Sequence, residues 1–422
     1  MKQKIDTLKQ MLFGLASLCI LLSGCNSDLP DNPVIPPVTP PEETEKWQEE
    51  KAYYQINLNA DEQRILTKAN SFALDFFKGT RSTNLVMSPF SLFSSLAMLA
   101  NGDDDKTKEE ILTYLGVEES DSQHLNSFIR TLNNGLEHKN GKSRFVINNS
   151  IWVKDESDIL PSFADLMDDC FNTETCTLSG DYNNDSSAIN EWVTKKTDSM
   201  ITEYLGYVSS DFSLVTTQYF AGGWTADFNN EEIRDSIFVN NNGSESIAQY
   251  LYSHAVVVNY NENDRFISVG FNIGHGNYRM SFITNVDGTD FNRSVEEMDL
   301  NELNDLLKEN EYTIVKAIRM PKFSVNSLFD NIMLLKHIGG KDKGFRWTFN
   351  KILSNKSLHL NTYPHSVKLE IDDHGINGVK SMSYRFTKNL KVPEIVFDRP
   401  FIYVVEEVST GAILIMGAVD KL

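Results

Sequence analysis

Apolar side chains at Ile65, Ala69, Phe72, Ala73, Phe76 and Phe77 recur at helical spacing through residues 61–78. One amphipathic helix is therefore predicted there, with Gly79 placed to end it. Ser88-Pro89 has the form of a helix start, a hydroxyl N-cap followed by proline in the first turn, and Gly102 stands where a C-terminal cap belongs. Between them Phe90, Leu92, Phe93, Leu96, Ala97, Leu99 and Ala100 leave no wide polar face, so this second helix is expected inside the fold. Thr107-Lys108-Glu109-Glu110 has the form of a capping box for a shorter helix ending at Gly116. Strand-like runs follow at 145–153, 313–325, 367–371 and 401–419, the last broken by Ser409-Thr410-Gly411 and expected to form a buried hairpin. Val367, Leu369 and Ile371 alternate with Lys368 and Glu370, the period of a strand with one wet face. The pattern predicts an α+β fold.

The first residues break this pattern. Lys2, Lys4 and Lys9 precede an apolar run from Met11 to Leu22 and then Ser23-Gly24-Cys25, which is the layout of a signal peptide over residues 1–24 and is too short to span a bilayer, which takes about 20 apolar residues. Leu22-Ser23-Gly24-Cys25 also resembles the lipobox of bacterial lipoproteins, which implies that Cys25 becomes a lipidated first residue and the only membrane attachment. Half of the twelve prolines lie between Pro30 and Pro41, so residues 25–54 are expected to be a tether. No further linker and no internal repeat follows, and one large domain is expected over 55–422.

Charge and cysteine content narrow the partners and the chemistry. Asp and Glu number 59 against 39 Lys and Arg, a net charge of -20, which disfavours nucleic acid as a partner. Removing residues 1–24 takes away three lysines and one aspartate, so the mature chain would be more acidic still. Cysteine occurs only at 19, 25, 170 and 176, too sparsely for a disulfide scaffold or a four-thiolate metal site. Two readings stay open for Cys170 and Cys176: a disulfide in an oxidising compartment, since Asn172 and Thr173 could turn the chain between them, or two free buried thiols.

The commonest catalytic signatures are missing. No His-Glu-x-x-His, Gly-x-Ser-x-Gly or Gly-x-x-x-x-Gly-Lys-Ser/Thr pattern occurs. Gly274-His275-Gly276 lacks the third glycine of a dinucleotide fingerprint and is expected to be a turn. Asp181-Tyr182-Asn183-Asn184-Asp185 begins like a calcium loop, but Ser186 stands where glycine is needed and Trp192 where the bidentate glutamate belongs, so a polar turn is expected there. No enzyme, cofactor or metal site is predicted. Residues 375–394 hold few apolar side chains and four basic ones, Lys380, Arg385, Lys388 and Lys391, with no acid before Glu394. A connection of this length inside a compact domain is usually functional or disordered, and an exposed basic segment suits proteolysis.

Several motifs carry a resemblance. Residues 84–116 with Ser88-Pro89, Ser91, Gly102 and Thr107, then Asn149-Ser150-Ile151-Trp152, Ile189-Asn190-Glu191-Trp192-Val193, Tyr219-Phe220 with Gly222, Trp224 and Phe228, Met320-Pro321-Lys322-Phe323, and finally 395–405 resemble the serpins in family order. The resemblance covers residues 55–422 and implies a single domain with three β-sheets, eight or nine α-helices and an exposed reactive-centre loop near the C-terminus. It implies an inhibitor of serine proteases, or of cysteine proteases, that traps its target when the cleaved loop inserts into the main sheet. It also implies a trypsin-like or broader serine protease as partner, and together with the lipobox it gives the expectation of a monomer on the envelope of a bacterium, at the outer membrane or cell surface. The alternative is a non-inhibitory surface or binding protein whose loop is cut without trapping.

Residue by residue, Gly375 matches the hinge glycine and Asp373 the acid two before it, with Ile376, Asn377, Gly378, Val379 and Lys380 completing the hinge. The family interval places the scissile bond at Asn389-Leu390, with Arg385, Lys388 and Lys391 as alternatives. Ser88, Ser91, Thr216, Trp224 and His365 match the region where the sheet opens, although Thr216 stands where the family commonly has asparagine. Inhibitors of the family usually carry a small hydroxyl residue after the hinge glycine and alanines beyond it. Here Ile376 and Lys380 depart from that pattern, and insertion would turn Ile376, Gly378, Lys380 and Met382 inward, which handicaps it.

Overall fold

Asn59 and Glu62 start the first helix by satisfying each other's backbone. The Asn59 carboxamide accepts from the Asp61 and Glu62 amides at 3.0 Å, and the Glu62 carboxylate accepts from the Asn59 amide at 3.0 Å, a capping box that the hydrophobic pattern did not announce. The computed structural model describes residues 54–422 except 82, 104–105, 137–142, 203–211, 225–233, 310–312, 331–346, 355–356, 361–363, 372–374 and 377–391. The expected signal peptide, Cys25 and the proline-rich tether lie outside the described residues.

The helices are α1 (Ala60–Thr80), α2 (Pro89–Ala100), α3 (Lys106–Leu115), α4 (Ser122–Leu136), α5 (Pro161–Phe171), α6 (Tyr182–Lys196), α7 (Phe291–Glu297) and α8 (Leu300–Leu307). All twelve residues of α2 are buried, as its lack of a polar face required. Three expectations on helix ends are corrected. Helix α1 runs through Gly79 to Thr80 and is capped by Arg81. Gly102 is no left-handed cap; a Cβ there would stand 2.7 Å from the Ile352 side chain, so its small size serves packing. Thr107 lies inside α3 and accepts from the Thr348 amide at 3.3 Å, so it acts as a tertiary partner and not as a cap.

Six strands form one sheet in the order β10 (Phe323–Asp330), β13 (Pro364–Ile371), β14 (Gly375–Ile376), β4 (Phe212–Gly223), β2 (Ser143–Val153), β3 (Thr173–Thr177). A nine-stranded sheet runs β1 (Leu85–Met87), β17 (Ala412–Val419), β16 (Phe401–Glu407), β8 (Tyr278–Asn285), β7 (Phe266–Ile273), β6 (Glu245–Glu262), β9 (Thr313–Pro321), β15 (Val392–Val396), with β5 (Arg234–Val239) paired to β6. Strands β11 (Trp347–Phe349) and β12 (Leu358–Leu360) make a third. Three sheets and, among the described residues, eight α-helices give the expected α+β architecture. The single run expected at 313–325 is divided at Lys322, because β9 and β10 belong to different sheets and the Lys322 amide leaves the ladder to bond Gln249 O at 2.7 Å. The C-terminal run folds as the expected hairpin, with every residue of β16 and β17 buried.

The six-stranded sheet separates two apolar layers. On β4, Phe212, Leu214 and Phe220 join the main core, whereas Val215 points the other way into a smaller cluster with Trp152, Leu178, Ile189, Val193 and Ile201 beneath α6. Cys170 and Cys176 are divided in the same manner. Cys170, at the end of α5, packs into the main core, and Cys176 on β3 packs against the smaller cluster. Both are free thiols. The disulfide is therefore not formed, because a left-handed turn at Asn172 sends the chain from helix to strand with the two side chains on different layers.

Gly274-His275-Gly276 makes the turn joining β7 to β8. The acidic run at 181–185 starts α6. It is not the expected polar turn: Asp181 is the N-cap, accepting from the Asn184 amide at 3.0 Å, and Asp185, in the first turn, accepts from the Ser179 and Gly180 amides at 2.6 and 3.1 Å and holds the incoming chain.

Candidate functional site: a strand slot in the six-stranded sheet

Strand β14 is two residues long, yet it has a neighbour on each side. Ile376 is opposite Ile371 of β13, and Gly375 and Ile376 are opposite Gly223 and Gly222 of β4, all antiparallel. Strands β13 and β4 therefore run parallel to one another with a strand's width between them at this end, about 9.5 Å for two ladder spacings. Among the described residues no other ladder joins β13 to β4. The chain after Ile376 re-enters the described structure at Val392, where β15 lies parallel to β9 and an Arg319–Glu394 ion pair of 2.6 Å secures it. The segment 377–391 is thus tied at one end to the six-stranded sheet and at the other to the nine-stranded one.

The head of the slot is closed from below by the nine-stranded sheet. Trp224 is buried and bridges Ile273, with its ring 5.7 Å from Phe271 and 6.3 Å from Phe282. The Gly274 amide donates to Gly223 O at 3.0 Å. Gly222 must be glycine for the same reason, since a Cβ would collide with the Ile273 side chain.

The middle of the slot has a polar floor. Ser88, the N-cap of α2, accepts from the Ser91 amide at 3.3 Å, lies 3.2 Å from Leu414 O, and its hydroxyl meets the Gln218 carboxamide oxygen. Thr216 Oγ1 bonds Asn149 Oδ1 at 2.9 Å, and Asn149 donates on to Phe171 O at 2.7 Å. Ser91 is buried in α2, and the backbone of His365 on β13 is paired with Phe329 of β10. Four of the five residues matched to sheet opening thus occupy two zones. Trp224 stands at the head, Ser88 and Ser91 lie by Gln218, six residues down β4, and Thr216 stands two residues further, about 26 Å from Trp224 at ~3.3 Å per residue.

Gln218 was not singled out in the sequence. Its signal was there: along Phe212, Leu214, Thr216, Gln218, Phe220 and Gly222, one face of β4, it is the longest polar side chain in an otherwise largely apolar row. Of the hinge residues, Gly375 and Ile376 have the backbone positions given above. Asp373, Asn377, Gly378, Val379 and Lys380 lie outside the described residues, as do Arg385, Lys388, Asn389, Leu390 and Lys391. Among the described residues no group of acidic, histidine and cysteine side chains could hold a metal ion.

This arrangement has counterparts. The sequence pattern of the Serpin (serine protease inhibitor) family matches residues 67–422. An uncharacterized serpin-like protein of Thermococcus kodakarensis is 25% identical over 377 residues, covering 86% of this chain and 87% of that protein. Neuroserpin of Rattus norvegicus is 25% identical over 356 residues, covering 80% of this chain and 85% of its own. The fold of the thermophilic serpin tengpin in its native state superposes with a TM-score of 0.73 at 21% identity, covering 88% of this chain and 96% of that one. The chain belongs to the serpin family, the serine protease inhibitors.

Proposed function

We propose that this protein inhibits serine proteases, with cysteine proteases as a second class of target, by offering the segment 377–391 as a substrate. After cleavage the N-terminal part of that segment enters the six-stranded sheet and carries the acyl-linked protease with it. One observation supports this above the rest: Ile376 is paired on both sides, with Ile371 of β13 and Gly222 of β4, and Gly375 is paired with Gly223 of β4, so a strand has been started in the slot that insertion would fill.

The energetics are compatible with it. Continued along the eight residues of β13, the strand would gain ladder bonds on two edges, each contributing about 1 kcal/mol net. An unpaired charge buried by Lys380 would cost several kcal/mol. A full strand outweighs that single position. The reactive bond is proposed at Asn389-Leu390, with Arg385, Lys388 or Lys391 as the cut site for a trypsin-like enzyme. The signal-peptide layout and Cys25 support display on a bacterial envelope through a lipid anchor, as a monomer.

The hinge composition favours a second reading, a binding or surface protein whose loop is cut without capture. Incubation with a panel of serine proteases followed by denaturing electrophoresis separates the two. A covalent band of summed mass supports inhibition, and Gly378→Pro should abolish it, since proline removes a ladder donor from a central strand. Loop cleavage with no such band, and no rise in melting temperature, establishes the second reading.

A further inference from the structure

We propose that the cavity where the end of β17, the turn between β5 and β6 and the residues just before β1 meet is a binding site for a neutral, polyhydroxylated small molecule, a mono- or disaccharide. The inference goes beyond protease inhibition and uses no part of the loop.

The cavity measures about 550 Å³, a size that holds a small ligand. Three asparagines build its walls and are spent in doing so. Asn84 Oδ1 accepts from the Asp420 and Lys421 amides at 2.8 and 2.9 Å, while its Nδ2 donates to Lys421 O at 2.6 Å. Asn240 accepts from the Leu422 amide at 3.1 Å and donates to the Ser244 and Ser246 hydroxyls at 2.9 and 2.8 Å. Asn241 exchanges carboxamide hydrogen bonds with Asn292 at 3.2 and 3.0 Å. The walls are thus fixed before any ligand arrives.

Four other lining groups keep hydrogen-bonding capacity. The Asp420 side chain is only 6% exposed, and its Oδ1 accepts from Arg81 Nη2 at 2.6 Å, but among the described residues its Oδ2 has no partner. A buried carboxylate oxygen seldom stays unpaired. Asn242 spends its Oδ1 on the Ser244 amide and hydroxyl at 3.0 and 2.7 Å, which leaves its Nδ2 to donate. The Thr83 hydroxyl and the Lys421 ammonium, both on exposed residues, are also without a partner among the described residues.

These groups select a ligand by charge and by kind. An anion would face the Asp420 oxygen, which can only accept. A cation gains little, because Arg81 already neutralises Asp420 and Lys421 repels a second positive charge. Among the described residues no cluster of acidic, histidine and cysteine side chains could hold a metal ion. A neutral molecule that donates to Asp420 and accepts from Asn242, Thr83 and Lys421 satisfies all four. A hydroxyl group does both at one atom, and a sugar ring carries several side by side.

Saturation-transfer NMR on the intact full chain tests this with glucose, galactose, mannose, N-acetylglucosamine and maltose, one at a time, and with glucuronate and glucosamine as charged counterparts. At least one neutral sugar should receive saturation and bind more tightly than either charged one. Asp420→Asn can keep Arg81 on its oxygen while its amide replaces the free acceptor by a donor, so it should weaken that sugar by about tenfold. Asn242→Ala, at an exposed position where misfolding is not a concern, should weaken it by about two- to tenfold. Melting temperatures close to that of wild type show that the variants are folded. Saturation of none of the five neutral sugars, equal affinity in wild type and both variants, or a preference for glucuronate or glucosamine would overturn the proposal.

Discussion

Gly222 and Ile273 meet where the two large sheets touch, with the isoleucine side chain occupying the space that a Cβ on Gly222 would need. Ile376 of β14 is the ladder neighbour of that same glycine. The head of the slot is therefore held by a contact with no room to spare, and Trp224, two residues on from Gly222, bridges the same Ile273.

Gly222→Ala is accordingly expected to destabilise the protein by about 1–3 kcal/mol through overpacking. Ile273→Ala, which removes the Cγ2 that a Cβ at 222 would strike, should cost less beside Gly222→Ala than by itself, as coupled neighbours do. Urea titrations of the single and double variants check both statements; strictly additive losses would show that the two side chains do not compete for the same space.

The buried pair Arg279–Glu406 makes stability depend on pH. Arg279 donates to Glu406 Oε1 at 2.7 Å and to Leu307 O at 2.9 Å, with both side chains almost fully buried. Burial raises the Glu406 carboxyl to about 7, against the opposing pull of Arg279. A group whose folded value exceeds its unfolded one contributes most below the unfolded value, near 4.5, and loses that contribution as pH climbs through the folded value. The stability of wild type relative to Glu406→Gln should fall by on the order of 3 kcal/mol between pH 4.5 and pH 8. Denaturant titrations at the two pH values measure it, and a constant difference would contradict it.

Cys170 and Cys176 are expected to be alkylated together without reductant once the protein is unfolded. Cys170 should react slowly while the protein is folded, because burial, aided by Asp169, pushes its thiol up to about 11 and the thiolate is the reactive form. Mass measurement reads both states. A folded protein that labels Cys170 as fast as a free thiol would place it outside the core.

Lipid anchoring at Cys25, proposed from the Leu22-Ser23-Gly24-Cys25 motif, is tested by Cys25→Ala. The variant should leave the membrane fraction. Equal retention of the variant would put the anchor elsewhere in the chain.

Local periodicity determined a good part of the architecture. The apolar spacing of 61–78, the continuous apolar character of 90–100, the alternation at 367–371 and the two dense runs after Phe401 all reappear as helix and strand, because backbone dihedrals and one-sided burial are read from neighbours a few residues away. The ordered motifs placed the family as well.

Which strands flank the slot is set by long-range packing alone. Strands β4 and β13 lie far apart in sequence, and no local pattern tells one that its edge will face the other across a two-residue β14. The same limit explains Gly102 and Thr107, whose reasons are Ile352 and Thr348 in a later part of the chain. It explains Gln218 too: a glutamine on a strand is ordinary until register sets it under Ser88 and in line with the row that Ile376 begins. Lateral pairing is set by long-range contacts whose partners are fixed only on folding, whereas periodicity records which way each side chain points.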